Sequence, residues 1–156
     1  MKHTKKWLKL QNLRSNQRFS PLLIRSTISS SAKCYLVPKI CPELVTDIKV
    51  VKGDWETVGS VRIWKYVAGL SENVSETIES IDDRNKSITF NALDGDITKY
   101  YKTFKGIVTV TANGQGSLVK WTLMYEKQNQ NIPDPEKYIE LVSAITKSVD
   151  AYLLKK

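Results

Sequence analysis

The chain has 156 residues and a mass of 17.8 kDa, with 41% hydrophobic and 26% charged residues, which fits one globular domain that folds without disulfides or a structural metal. One histidine (His3) and two cysteines (Cys34, Cys41) exclude a Ser-His-Asp triad and His- or Cys-rich zinc centres, and two scattered cysteines suit a reducing compartment. The net charge is +8, yet nine of the 24 Lys/Arg precede Glu43 with no acid among them, so the remaining 15 face all 16 acids and the body carries no nucleic-acid footprint.

Residues 1–33 read as an atypical basic N-terminal segment, and 34–156 as the folded domain. The segment is rich in Lys, Arg and Ser and lacks acids. That is the composition of an organellar transit peptide; a disordered basic arm and an atypical gene start are the other readings. Its longest apolar stretch, Leu22 to Ile24, is too short for a secretory signal. Cytoplasmic residence is therefore expected, with an organelle as the alternative if the segment is a transit peptide. Trp7, Leu8, Leu10 and Leu13 give the arm weak attraction to a membrane surface. No apolar run approaches the roughly 18–20 residues of a membrane span, so no stable insertion is expected.

Cys34 to Leu44 carries Pro38 and Pro42 and predicts at best a short helical turn. Beyond it the pattern becomes β. Val45 to Val51 and Ser60 to Val67 are strand candidates, separated by the glycine-bounded loop Gly53 to Gly59. Asn73 to Ile81 alternates, with Val74, Glu76 and Ile78 on one side. Ser87 to Leu93 follows a polar turn. Thr103 to Ala112 places Phe104, Gly106, Val108 and Val110 on one face. Asn113-Gly114-Gln115-Gly116 is a hairpin signal, and Ser117 to Glu126 then aligns Val119, Trp121, Leu123 and Tyr125. Six such strands predict an antiparallel meander with one wet face.

The period changes at Pro133-Asp134-Pro135, which predicts a helix start with Asp134 as N-cap and Pro135 at the first helical position. Tyr138, Leu141, Val142, Ile145, Val149 and Tyr152 recur at helical spacing. The fold class is α+β: a curved antiparallel β-sheet wrapped around a long C-terminal helix.

The predicted inward face is aromatic (Trp64, Tyr66, Phe90, Phe104, Trp121, Tyr125, Tyr138), with smaller apolar residues between. Arg62 and Glu76 share that face. The set describes both a packed core with a satisfied ion pair and a small-molecule pocket with few polar anchors. Asp82-Asp83 and Asp94-x-Asp96 could hold a hard cation, although turn aspartates are normally just solvated, and Gly53 to Gly59 lacks the Gly-Lys-Ser/Thr of a phosphate loop. No metal or cofactor is expected.

These residues resemble a plant family. Gly53-Asp54-Trp55-Glu56-Thr57-Val58-Gly59-Ser60, Trp64-Lys65-Tyr66 and Lys86-Ser87-Ile88-Thr89-Phe90 are similar to the major latex proteins. So are Gly95-Asp96, Tyr101-Lys102-x-Phe104-Lys105, Gly116-Ser117-Leu118-Val119-Lys120-Trp121-Thr122, Pro133-Asp134-Pro135 and Asp150-Ala151-Tyr152-Leu153-Leu154-Lys155. The family belongs to the birch-pollen-allergen and pathogenesis-related class 10 superfamily.

The resemblance covers about residues 34–156. It implies a helix-grip fold with a seven-stranded sheet and an internal cavity for hydrophobic small molecules, such as plant hormones or secondary metabolites. It also implies a role in defence and stress. By position, Arg62, Trp64, Tyr66, Val74, Glu76, Ile88, Phe90, Phe104 and Trp121 would face the ligand, with Tyr138 and Val142 joining from the helix.

A carrier is the function expected. The alternative is an isomerase or condensing enzyme on a plant metabolite, with Glu76 as general acid/base and Arg62 stabilising negative charge. The departure is at the front. Residues 1–33 lack the alternation and the acids of the family's opening strand, with Ile24 to Ser30 as the nearest substitute. A missing strand would open the pocket and leave a sheet edge unpaired, a route to association for an otherwise monomeric chain.

Overall fold

The structure, a computed structural model, describes residues 10–22 and 33–155. Its strands are β1 (Gln11–Phe19), β2 (Val45–Lys52), β3 (Val61–Ala68), β4 (Leu70–Asp82), β5 (Ser87–Gly95), β6 (Tyr101–Asn113) and β7 (Gly116–Lys127). A 3-10 turn at Cys34–Leu36 runs into the short α1 (Val37–Ile40), and α2 (Asp96–Tyr100) links β5 to β6. The long α3 (Glu136–Leu154) follows β7. All seven strands pair antiparallel in one sheet, in the order β1-β7-β6-β5-β4-β3-β2.

The front of the chain corrects one expectation. A first strand is present: β1 pairs with β7 in unbroken register from Gln11↔Tyr125 to Phe19↔Ser117. The β7 edge is therefore covered, not open. β1 escaped the sequence reading because only Leu13 and Phe19 among its core-side residues are apolar, and both pack against the core. Leu13 accordingly belongs to the sheet rather than to a membrane-seeking arm. The substitute strand Ile24 to Ser30 lies outside the described residues.

Several register shifts bend the sheet. They fall between Val45 and Asp47 and between Val50 and Lys52 in β2, and on both sides of Thr77 in the β4–β5 ladder. Such bulges add twist and curvature, which lets one sheet face wrap a helix. Gly95 permits the tight junction before α2. Its φ is +113°, and a Cβ there would sit 2.4 Å from the Asn73 carbonyl oxygen.

α3 runs 19 residues, about 28 Å. Its N-cap is Pro135, not the expected Asp134, and no side chain caps it. Asp134 instead accepts from the Tyr125 hydroxyl and the Lys127 ammonium, both at 2.9 Å. The helix start is thus tied to the end of β7 rather than closed on itself. No helix among the described residues is long and apolar enough to cross a membrane.

Candidate functional site

Strand alternation and the helical stripe face each other across a cavity of about 190 Å³. Trp64 and Tyr66 enter it from β3, Val74 and Glu76 from β4, and Phe90 and Ala92 from β5. β6 contributes Phe104, Gly106, Val108 and Val110; β7 contributes Val119, Trp121 and Leu123. Tyr138, Leu141, Val142, Ile145, Thr146 and Val149 close it from α3. These recur at three- and four-residue steps, one face of a helix. Cys34, Val37, Val45 and Ile97 complete the wall.

Nine of the eleven predicted site residues therefore line the cavity: Trp64, Tyr66, Val74, Glu76, Phe90, Phe104, Trp121, Tyr138 and Val142. Ile88 and Arg62 are not in its wall. Ile88 is buried in the core. Arg62 is fully buried behind the wall, with its guanidinium 5.8 Å from the Trp64 ring centre and 5.1 Å from that of Phe90.

Glu76 is the one charged lining residue among the described residues. Its Oε2 accepts a short hydrogen bond from Arg62 Nη2 and a second, at 2.8 Å, from the Trp64 indole N–H. A fully buried guanidinium needs such a partner, because an unpaired ion in this setting costs several kcal/mol, on the order of 3–5. The ion pair and the cavity are thus both present: the two readings of the inward face describe one arrangement.

A second polar cluster lies where β4 meets α3. Glu72, with 3% of its side chain exposed, accepts from the Tyr66 hydroxyl at 3.0 Å, the Tyr138 hydroxyl at 2.7 Å and the Lys137 ammonium at 2.7 Å. Burial and the adjacent Glu72 carboxylate raise both phenols well above the ordinary tyrosine range. Burial and then Glu43 push the Cys41 thiol up to about 11. Trp121 spends its indole N–H on the Thr146 hydroxyl at 3.0 Å, and Thr146 donates to the Val142 carbonyl at 2.7 Å.

Sequence reasoning missed Glu72, which sits in the polar run Ser71-Glu72-Asn73 with its phenolic partner Tyr138 66 residues away. It also missed Thr146, Cys34 and Ile97. Thr146 follows Val142 by one helical turn, a signal available from spacing alone. Among the described residues no group of His, Cys, Asp or Glu could hold a metal ion.

A space of this size exceeds the roughly 150 Å³ apolar cavity that admits benzene. The arrangement can enclose an apolar ring system and offer it one charged anchor. It does not bring Arg62 to the ligand surface.

Comparison with known proteins agrees with the fold. The family described as the Pathogenesis-related protein Bet v 1 family matches residues 28–156. MLP-like protein 423 of Arabidopsis thaliana is 38% identical over 123 residues, covering 78% of this chain and 79% of that protein. MLP-like protein 34 of the same plant is 35% identical over 127 residues, covering 80% of this chain; the chain spans only 40% of that protein's length. The crystal structure of ginseng major latex-like protein 151 from Panax ginseng superposes with a TM-score of 0.86 at 27% identity, over 92% of this chain and 97% of that one. On the family match, the sequence identity and the seven-stranded sheet around α3, the chain belongs to the Bet v 1 family, among its major latex-like members.

Proposed function

We propose that the chain binds hydrophobic small molecules, of plant-hormone or secondary-metabolite type, and holds or carries them in plant defence and stress responses. The observation that carries this reading is the apolar cavity of about 190 Å³ between the sheet and α3, with Glu76 as the single charged wall residue among those described. Burial of a ring system against such walls is worth roughly 25 cal/mol per Å² of apolar surface removed from water.

An enzyme in the same cavity is the weaker reading. It needs Arg62 to meet developing negative charge, and Arg62 lies behind the wall with no exposed surface. The working compartment we propose is the cytoplasm. Transit processing near residue 33 would remove β1, which covers the β7 edge.

Native mass spectrometry of the protein isolated from plant tissue tests the proposal. A retained small molecule on the chain is the expected result. A chain that is empty in tissue and binds no apolar ring compound in solution would sink it.

A further inference from the structure

We infer that the cavity selects neutral ring compounds carrying a hydroxyl that donates to Oε1 of Glu76, and that it rejects charged ligands of either sign. The inference rests on the cavity reading above and adds the chemistry of the headgroup.

The hydrogen-bond inventory of the wall sets the requirement. Its side-chain donors are spent inside the protein. The Tyr66 and Tyr138 hydroxyls donate to Glu72, the Trp121 indole to Thr146, the Thr146 hydroxyl to the Val142 carbonyl, and the Trp64 indole to Glu76. An acceptor remains. Both bonds to Glu76 land on Oε2, and Oε1 accepts none from the described residues. Glu76 lines the cavity with 16% of its side chain still accessible. A ligand that fits this wall must bring a donor. A molecule with only acceptors finds no partner for them and loses their hydration.

Charge sets the second requirement. The Arg62–Glu76 pair is neutral as a unit, since the buried guanidinium already balances the carboxylate. A ligand carboxylate would be desolvated beside Glu76 with no Lys or Arg in the wall among the described residues. A ligand ammonium would be desolvated beside a carboxylate that is already balanced. Apolar walls repay neither cost. A phenol or alcohol brings the donor without the charge, and a hydrogen bond to an ionised acceptor is among the stronger ones.

Isothermal titration of the full chain at pH 7 with four bicyclic probes tests this. The probes are 2-naphthol, 2-methoxynaphthalene, 2-naphthoate and 2-naphthylmethylammonium. The expected result is that 2-naphthol binds roughly ten- to a hundredfold more tightly than its methyl ether. Both ions should bind more weakly than the naphthol. In the neutral double variant Arg62→Met/Glu76→Leu, checked for cooperative unfolding, the naphthol and its ether should bind alike. If that variant does not fold, the four-probe ranking on the native chain decides alone. Equal affinity for naphthol and ether on the native chain would overturn the inference and leave the cavity reading standing. So would tightest binding of either ion. No binding by any probe would remove the cavity reading and this inference together.

Discussion

The Ser20 hydroxyl donates to Oδ1 of Asp150, and the Ser20 backbone N–H reaches Oδ2 at 3.3 Å, across 130 residues of chain. The pair fastens the end of β1 to the last turns of α3. Asp150 is buried, so removing it leaves two donors without their acceptor. Asp150→Ala should therefore cost about 1–3 kcal/mol, a fall of roughly 2–4 °C in Tm for each kcal/mol. Hydrogen exchange should quicken at the β1 amides before it does so in β5 and β6. Unchanged β1 protection would show that the register with β7 holds the strand by itself.

β1 also covers an edge. β7 would otherwise present twelve residues of unpaired backbone, Gly116–Lys127, along one side. Open edges of that length recruit other strands. A chain starting at Pro21 should form dimers or larger species in light scattering, whereas the full chain stays monomeric. Monomeric behaviour of the shortened chain would mean that some other segment takes the place of β1, and it would restore transit processing as a workable history.

The residues that resisted sequence reading share a cause. β2 to β7 and α3 were legible because their core faces alternate or recur without interruption, as in Phe104, Gly106, Val108 and Val110. β1 was not, because its core side carries Gln11, Ser15 and Gln17 beside Leu13 and Phe19. Two of them find partners far along the chain: the Ser143 hydroxyl reaches Ser15 Oγ at 3.3 Å, and Gln11 lies 3.4 Å from the Tyr125 hydroxyl, whose proton goes to Asp134. Asp134 was misassigned for a related reason. Local grammar favours an N-cap, but Tyr125 and Lys127 offer it stronger partners across a loop. Nine cavity residues could be read in advance because a cavity wall and a core wall have the same period. Whether the space between them is filled depends on side-chain volumes meeting in three dimensions, which no period records.

Gly106 marks where that space can be closed. It lies in the cavity wall, and a Cβ added there would stand 3.7 Å from Leu123 Cδ2 and from Trp121 Cζ3, ordinary contact distances. Gly106→Val supplies two further methyl groups on a branch suited to a strand. The fold should tolerate the change, and the new methyls should project into the cavity. Affinity for an apolar ring ligand should fall at least tenfold while Tm stays level or rises. A matching fall in both would mean that Gly106 serves close packing rather than ligand space.

Alkaline pH should unfold this chain earlier than its size suggests. Burial raises the Tyr66, Tyr101, Tyr125 and Tyr138 phenols above their ordinary value of 10.0, and it raises the Cys41 thiol from 9.0 to about 11. A raised value means that the folded chain keeps protons that the unfolded chain releases. Unfolding then liberates protons, and stability falls as pH rises. The full contribution is present below about pH 9. Its loss begins with Cys41 above pH 9, steepens above pH 10 as the four phenols ionise in the unfolded chain, and continues beyond pH 11. Urea midpoints at pH 8, 9, 10 and 11 should fall in that order, with the largest step between 10 and 11. Tyr101→Phe should flatten the upper part of the curve, because it removes one titrating group and otherwise only the bond to the Pro133 carbonyl at 2.7 Å. A midpoint constant to pH 11 would mean that these phenols reach solvent in the folded chain, and that the Glu72 cluster is more open than its hydrogen bonds imply.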